Sequence, residues 1–207
     1  MTGANFWLES EPLLLASRSA ARRSLLEAAA LPFEIGGAPV DEASIAATLL
    51  EAREAPDAIA VALAHAKAEA ASRRHPGRIV LAADQTLDHA GTLLMKPADI
   101  DHARRQLRRL AGESHHLHAA AVLRRDDVVL WAGLDSARLT MRPLTEAFLD
   151  AYLEAMGMRV TQTVGGYMLE GLGIHLFAEI EGSHATILGL PLLPLLHALR
   201  DLGLIAS

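Results

Sequence analysis

A chain of 207 residues, 51% of them hydrophobic, can bury a substantial core as one domain without covalent staples. The absence of cysteine excludes a disulfide framework, a thiolate nucleophile and a thiolate metal site, so any metal must be held by oxygen or imidazole. A formal net charge of −6 argues against a nucleic-acid polymer as partner, because that affinity rests on a broad basic surface; a phosphate-binding role must concentrate positive charge locally.

The opening segment MTGANFWLESEPLLLAS has no basic leader, and Glu9 and Glu11 interrupt its apolar run. No stretch approaches the roughly 20 apolar residues that span a bilayer, so a cytoplasmic protein without a membrane partner is expected. Leu13 to Ala16 predicts a buried strand and Ser19 to Ala30 a helix, closed by Leu31-Pro32. Phe33 to Gly36 returns as a strand, and Gly36-Gly37-Ala38-Pro39 begins a loop that carries the acidic pair Asp41-Glu42. Asp57 to Arg74 is Ala-rich, without internal Pro or Gly, and predicts a helix.

Arg78 to Ala83 predicts a second buried strand, and Gln85 to Met95 holds a hairpin-like DHAG turn before Lys96-Pro97. Asp99 is set to cap a helix to Leu110. His115 to Arg124 and Val128 to Trp131 predict a hairpin about Asp126-Asp127, with Ser136 to Met141 as a separate strand. Thr145 caps the helix TEAFLDAYLEAMG, which Gly157 ends. A Gly-rich stretch, TVGGYMLEGLG, then leads to a strand over Ile174 to Ile180, a turn at Glu181-Gly182 and a closing helix from Pro191 to Leu202. One crossover followed by hairpins predicts an α/β fold on a mixed sheet, not a doubly wound parallel one.

A strand that ends in small polar residues and feeds a helix presents free N–H groups and the positive end of the helix dipole to an anion. Ser17 and Ser19 add hydroxyls there, and Arg18, Arg22 and Arg23 add charge; the same serines also suit plain helix capping. Asp84, where RIVLAA stops, is placed to bind a divalent cation or activate water, or else to form a turn. Glu42 is a second carboxylate from another loop, and Lys67 and Lys96 are phosphate clamps or surface charges. His115, His116 and His118 suggest a metal site, but strand alternation sends His115 away from the other two. Gly165, Gly166 and Gly171 either admit a ligand close to the backbone or form tight turns, and Glu170 between them can accept hydrogen bonds from a base edge. Ser183-His184 lacks the elbow of a serine hydrolase.

In order, LLLASRSAARRSLL, Asp41-Glu42, ALAHAKAEAA, VLAADQTL, LMKPAD, RRLAGESHHLHAAAV, VGGYMLEGLGIHLFAEIEG and ILGLPLLPLL resemble the Maf family of nucleoside triphosphate pyrophosphatases. The resemblance implies two mixed α/β lobes around a cleft, often in a dimer. It implies cleavage of a nucleoside triphosphate between its α and β phosphates with a divalent cation, Mg2+ or Mn2+. It makes Asp84 the catalytic residue and Glu42 and Asp84 the metal ligands. Ser17, Ser19, Arg22, Lys67 and Lys96 become substrate contacts.

Three further positions, Ala21, Gln85 and Glu170, bear on base choice. The branch acting on dTTP and UTP has arginine, threonine and glutamine there; the branch acting on 7-methyl-GTP has tryptophan, glutamine and glutamate. Gln85 and Glu170 place this chain nearer the second branch, while Ala21 matches neither. Ala20 stands at the motif's proline, and Gln162-Thr163 replace an Asp-Lys pair of the first branch. The other role the family name suggests is a nucleotide sensor acting in cell division and septum formation without turnover.

Overall fold

The computed structural model describes residues 6–206. Strand β1 (Leu13–Leu15) is three buried leucines, a composition suited to a strand covered on both faces. It pairs in parallel with β2 (Phe33–Ile35) on one side and β3 (Val80–His89) on the other. Helix α1 (Ala20–Ala28) connects β1 to β2, and α2 (Glu42–Glu51) and α3 (Pro56–Arg74) lead on to β3. From β3 onward the pairing is antiparallel, through β4 (Thr92–Leu94), β5 (Ser114–Arg125), β6 (Val128–Met141) and β7 (Phe177–Glu181). The strand order is β2-β1-β3-β5-β6-β7, with β4 on the far half of β3. This is the expected mixed α/β sheet.

Helices α4 (Ile100–Leu110) and α5 (Glu146–Met156) begin at their predicted caps, Asp99 and Thr145, each accepting a backbone N–H from its third following residue. The short α6 (His184–Ile187) and α7 (Leu192–Asp201) close the chain. No helix among the described residues is long and apolar enough to cross a membrane.

Four expectations are corrected. Asp41-Glu42 is not loop: the Asp41 carboxylate accepts the Ser44 N–H at 3.0 Å and starts α2, with Glu42 its first residue. The strand expected to stop at Ala83 continues to His89, so Asp84 lies in mid-strand. The two strands expected over 128–131 and 136–141 are one strand, β6, because β5 pairs with it from Val128 to Thr140 with one register shift, between Leu123 and Arg124; the Trp131 indole lies across Gly133 within it. The last strand starts at Phe177, since Leu172–Leu176 winds into a 3-10 turn.

Hydrophobic packing divides the sheet into two lobes. In one, Leu13, Leu15, Leu26, Leu81, Leu123 and Leu199 form a core on one face. On the other face the alanines of α3 (Ala60, Ala64, Ala68, Ala71) lie against Val80, Ala82, Ala120 and Val122, and small side chains at this helical spacing let α3 sit close to the sheet. In the second lobe Leu87, Leu117 and Leu139 pack against Leu107, Leu110, Leu149 and Leu153 of α4 and α5. Each fully buried leucine contributes about 1.5–3 kcal/mol, and β3 and β5 run through both cores. Between them, β3 has β1 at Val80 and Leu81 and β4 only from Leu87, so its outer edge is unpaired around Asp84 and Gln85. A cleft opens at that interruption.

Candidate active site

The cleft has a volume of about 1100 Å³ and is lined by all ten residues that the family resemblance assigned to the site: Ser17, Ser19, Ala21, Arg22, Glu42, Lys67, Asp84, Gln85, Lys96 and Glu170. They come from six separate segments of chain. Consecutive residues of a strand face opposite sides, so Asp84 turns toward α3 and Gln85 toward α6. The open edge of β3 lets both reach one space.

On the α3 side, Lys67 extends from the alanine face of the helix toward the sheet. Its Nζ lies 2.5 Å from Asp84 Oδ1 and 2.9 Å from Glu42 Oε2. One ammonium therefore gathers two carboxylates from α2 and β3. The Lys67 and Asp84 side chains are only 15% and 11% exposed, whereas that of Glu42 is 54% exposed, so the cluster is buried on one flank and wet on the other.

At the mouth of α1, Ser19 is the N-cap and its hydroxyl accepts the Arg22 N–H. Ser17 Oγ accepts from the Ser19 N–H at 3.3 Å and from Arg22 Nη1 at 3.1 Å, which leaves its own proton available to a ligand oxygen. Arg22 is more deeply committed than its motif suggested. Its Nε donates to Gly189 O at 2.7 Å, and Nη1 also donates to Ala83 O at 2.9 Å, on the unpaired edge of β3. Burial pushes the guanidinium below its ordinary range, opposed by Asp84 and Glu42, and it stays a cation as arginine does in proteins. Arg22 thus ties α1 to β3 and to the loop after α6, with Nη2 outside those bonds.

Gln85 is held as tightly. Its Nε2 donates to Thr186 O at 3.0 Å and Ile187 O at 2.8 Å, and two carbonyl partners fix the amide's orientation. Its Oε1 is the end without a hydrogen bond among the described residues. Glu170 and Lys96 are exposed on the rim, and Ala21 offers only a methyl group to the lining beside Arg22.

Two other groups of residues do not join the cleft. Gly165 and Gly166 are buried, at φ 75° and 73°, and a Cβ on Gly165 would stand 2.6 Å from both Leu87 and Tyr167. They make a tight turn against the second core; the ligand-approach alternative does not hold for them. His115 is buried, with Nε2 2.6 Å from the Tyr167 hydroxyl, while His116 and His118 stack on the opposite face. Among the described residues no group of three or more His, Asp or Glu side chains is arranged around a metal position. What sequence reasoning missed is the segment 186–189, whose carbonyls orient Gln85 and Arg22. Backbone acceptors carry no residue-type signal.

A helix N-terminus whose serine hydroxyls keep their protons to donate, facing a carboxylate and ammonium cluster across a cleft between two lobes, gives this α/β protein a site of the kind that suits a phosphorylated ligand. The chain belongs to the Maf family: the family model described as Maf-like protein matches residues 12–202. It is 51% identical over 200 residues to a protein of Rhodopseudomonas palustris (strain HaA2) named nucleoside triphosphate pyrophosphatase, covering 97% of this chain and 98% of that one. It is 49% identical over 193 residues to a Rhizobium etli protein named 7-methyl-GTP pyrophosphatase, covering 93% and 97%. A Bradyrhizobium diazoefficiens protein named nucleoside triphosphate pyrophosphatase is 49% identical over 200 residues, covering 97% and 98%.

Proposed function

We propose that the protein is a nucleoside triphosphate pyrophosphatase that hydrolyses the bond between the α and β phosphates, giving a nucleoside monophosphate and pyrophosphate. The observation that carries this reading is the meeting of the α1 phosphate turn and the Lys67–Asp84–Glu42 cluster in one cleft.

Glu42 and Asp84 fit the role of divalent-cation ligands, because two hard oxygen donors already converge on one cationic atom, Lys67 Nζ. Bound there, Mg2+ or Mn2+ would neutralise phosphate charge and make a coordinated water more acidic. The protein's own groups carry the remaining steps. Asp84 Oδ2, the oxygen Lys67 does not occupy, takes the proton of the water that attacks the α phosphorus. Lys67 and Lys96 neutralise the charge that develops on the departing pyrophosphate. Ser17, Ser19 and the α1 N-terminus hold phosphate oxygens, and Arg22 keeps that turn in place. Glu170 on the rim accepts from a base that offers paired donors, as guanine N1–H and N2–H2 do and thymine does not. That preference supports 7-methyl-GTP or another guanine nucleotide over dTTP.

The test is Asp84→Asn, assayed for pyrophosphate release with Mg2+ present. A loss of about 10² or more in kcat is expected when a general base is removed; near-normal turnover contradicts the assignment. Tight nucleotide binding by the native protein without turnover would favour a sensor.

A further inference from the structure

The inward face of a strand pair flanked by packed cores calls for apolar residues, yet β6 turns a carboxylate into it. Asp135 belongs to the same face as Ala137 and Leu139, both buried. Cross-strand register places it opposite Ala119 of β5, and Ala119 lies opposite Gln85 of β3. Gln85, Ala119 and Asp135 therefore form one row across three strands, about 10 Å from end to end.

Ala119 in the middle of that row is small and fully buried, and α6, which carries the fully buried Thr186, packs on both β5 and β6. Thr186 reaches both ends. Its backbone carbonyl accepts from Gln85 Nε2 at 3.0 Å, and its hydroxyl donates to Asp135 Oδ2 at 2.5 Å. Asp135 Oδ1 accepts the Ser136 N–H at 2.9 Å, so the carboxylate is itself oriented. Three residues further on, Gly189 O accepts from Arg22 Nε, and at φ 92° a Cβ on Gly189 would stand 3.2 Å from the guanidinium. One short segment thus sets both the amide of Gln85 and the guanidinium of Arg22.

We propose that Asp135 and Thr186 are positioning residues of the cleft: by anchoring α6 to β6 they hold Gln85 with its amide oxygen as the end free for a ligand, and with it the base selectivity of the site. Neither side chain lines the cleft. The proposal rests on the pyrophosphatase reading for its kinetic consequence, but not for its structural one.

The experiment compares Thr186→Val, which keeps the shape and deletes the hydroxyl, with Thr186→Ser, which restores it. Two readouts are needed. In the native protein the Gln85 side-chain amide protons, bonded to two carbonyls, are expected as slowly exchanging NMR signals; Thr186→Val should speed their exchange about tenfold and Thr186→Ser should not, on the scale of one net hydrogen bond. In pyrophosphate release, Thr186→Val should reduce the kcat/KM ratio of GTP to dTTP by roughly tenfold, and should change it less than about twofold in a Gln85→Ala background, where the amide is absent.

Unchanged Gln85 exchange in Thr186→Val overturns the proposal, as does an equal effect on the ratio with and without Gln85. A native protein that hydrolyses no nucleotide sinks the pyrophosphatase reading alone, because the exchange comparison still decides the positioning role.

Discussion

Lys67 Nζ stands 2.5 Å from Asp84 Oδ1, and the same ammonium reaches Glu42 Oε2 at 2.9 Å. Two carboxylates brought this close repel unless a cation lies between them. Lysine supplies that cation in the folded chain.

Lys67→Met should therefore weaken the site in two ways. Removing one partner of a largely buried pair destabilises the fold by about 2 kcal/mol or more, and loss of the phosphate-facing charge lowers kcat/KM by about 10². Thermal denaturation with and without Mg2+ separates the contributions. Mg2+ should raise the Tm of Lys67→Met more than that of the native protein, by mass action at a site where the cation replaces the ammonium.

Arg22→Lys is not conservative here. The guanidinium fork donates to Gly189 O, Ser17 Oγ and Ala83 O together, and a lysine ammonium has no comparable planar geometry. Denaturant unfolding should show a loss of about 2–3 kcal/mol, two or three net hydrogen bonds. Unchanged stability together with a raised KM would return Arg22 to the simple role of a phosphate contact.

Burial holds the His115 imidazole down at about 4, with His89 and His116 adding to the effect. Its folded value lies below the ordinary value of about 6.5, so between these the unfolded chain binds more protons. The stability His115 contributes is complete above pH 6.5 and is lost as pH falls from about 6.5 to about 4, a loss on the order of 3 kcal/mol. Unfolding free energies of the native protein and His115→Gln, measured across that window, should converge toward the acid end. Parallel curves would remove His115 from the acid sensitivity of the fold.

Much of this was legible because the signals were local. The cap residues Asp99 and Thr145 announced α4 and α5, and the order of Ser17, Glu42, Lys67, Asp84 and Lys96 pointed to one site before any fold was known. The misreadings have physical reasons. Asp41 followed by Ile45 and Leu49 is a capping signature with helical spacing, hidden behind a Gly and Pro loop that made the acidic pair look like its continuation. Asp84 looked like a strand end because a charged residue rarely sits inside a buried run; Lys67 makes it tolerable there, and that partner comes from 17 residues earlier. The residues between Trp131 and Ser136 did not read as strand although they pair with β5 throughout, and the Trp131 ring that lies over Gly133 comes from the same strand. The commitment of Arg22 and Gln85 to carbonyls of 186–189 bridges sequence separations above 100 residues, and no residue pattern encodes it.

Cleavage between the α and β phosphates is tested by incubating the protein with Mg2+ and a panel of dTTP, UTP, CTP, GTP and 7-methyl-GTP and resolving the products. Monophosphate and pyrophosphate in equal amounts, fastest from a guanine nucleotide, is the predicted result. Diphosphate and inorganic phosphate, or no product from any of the five, would contradict it.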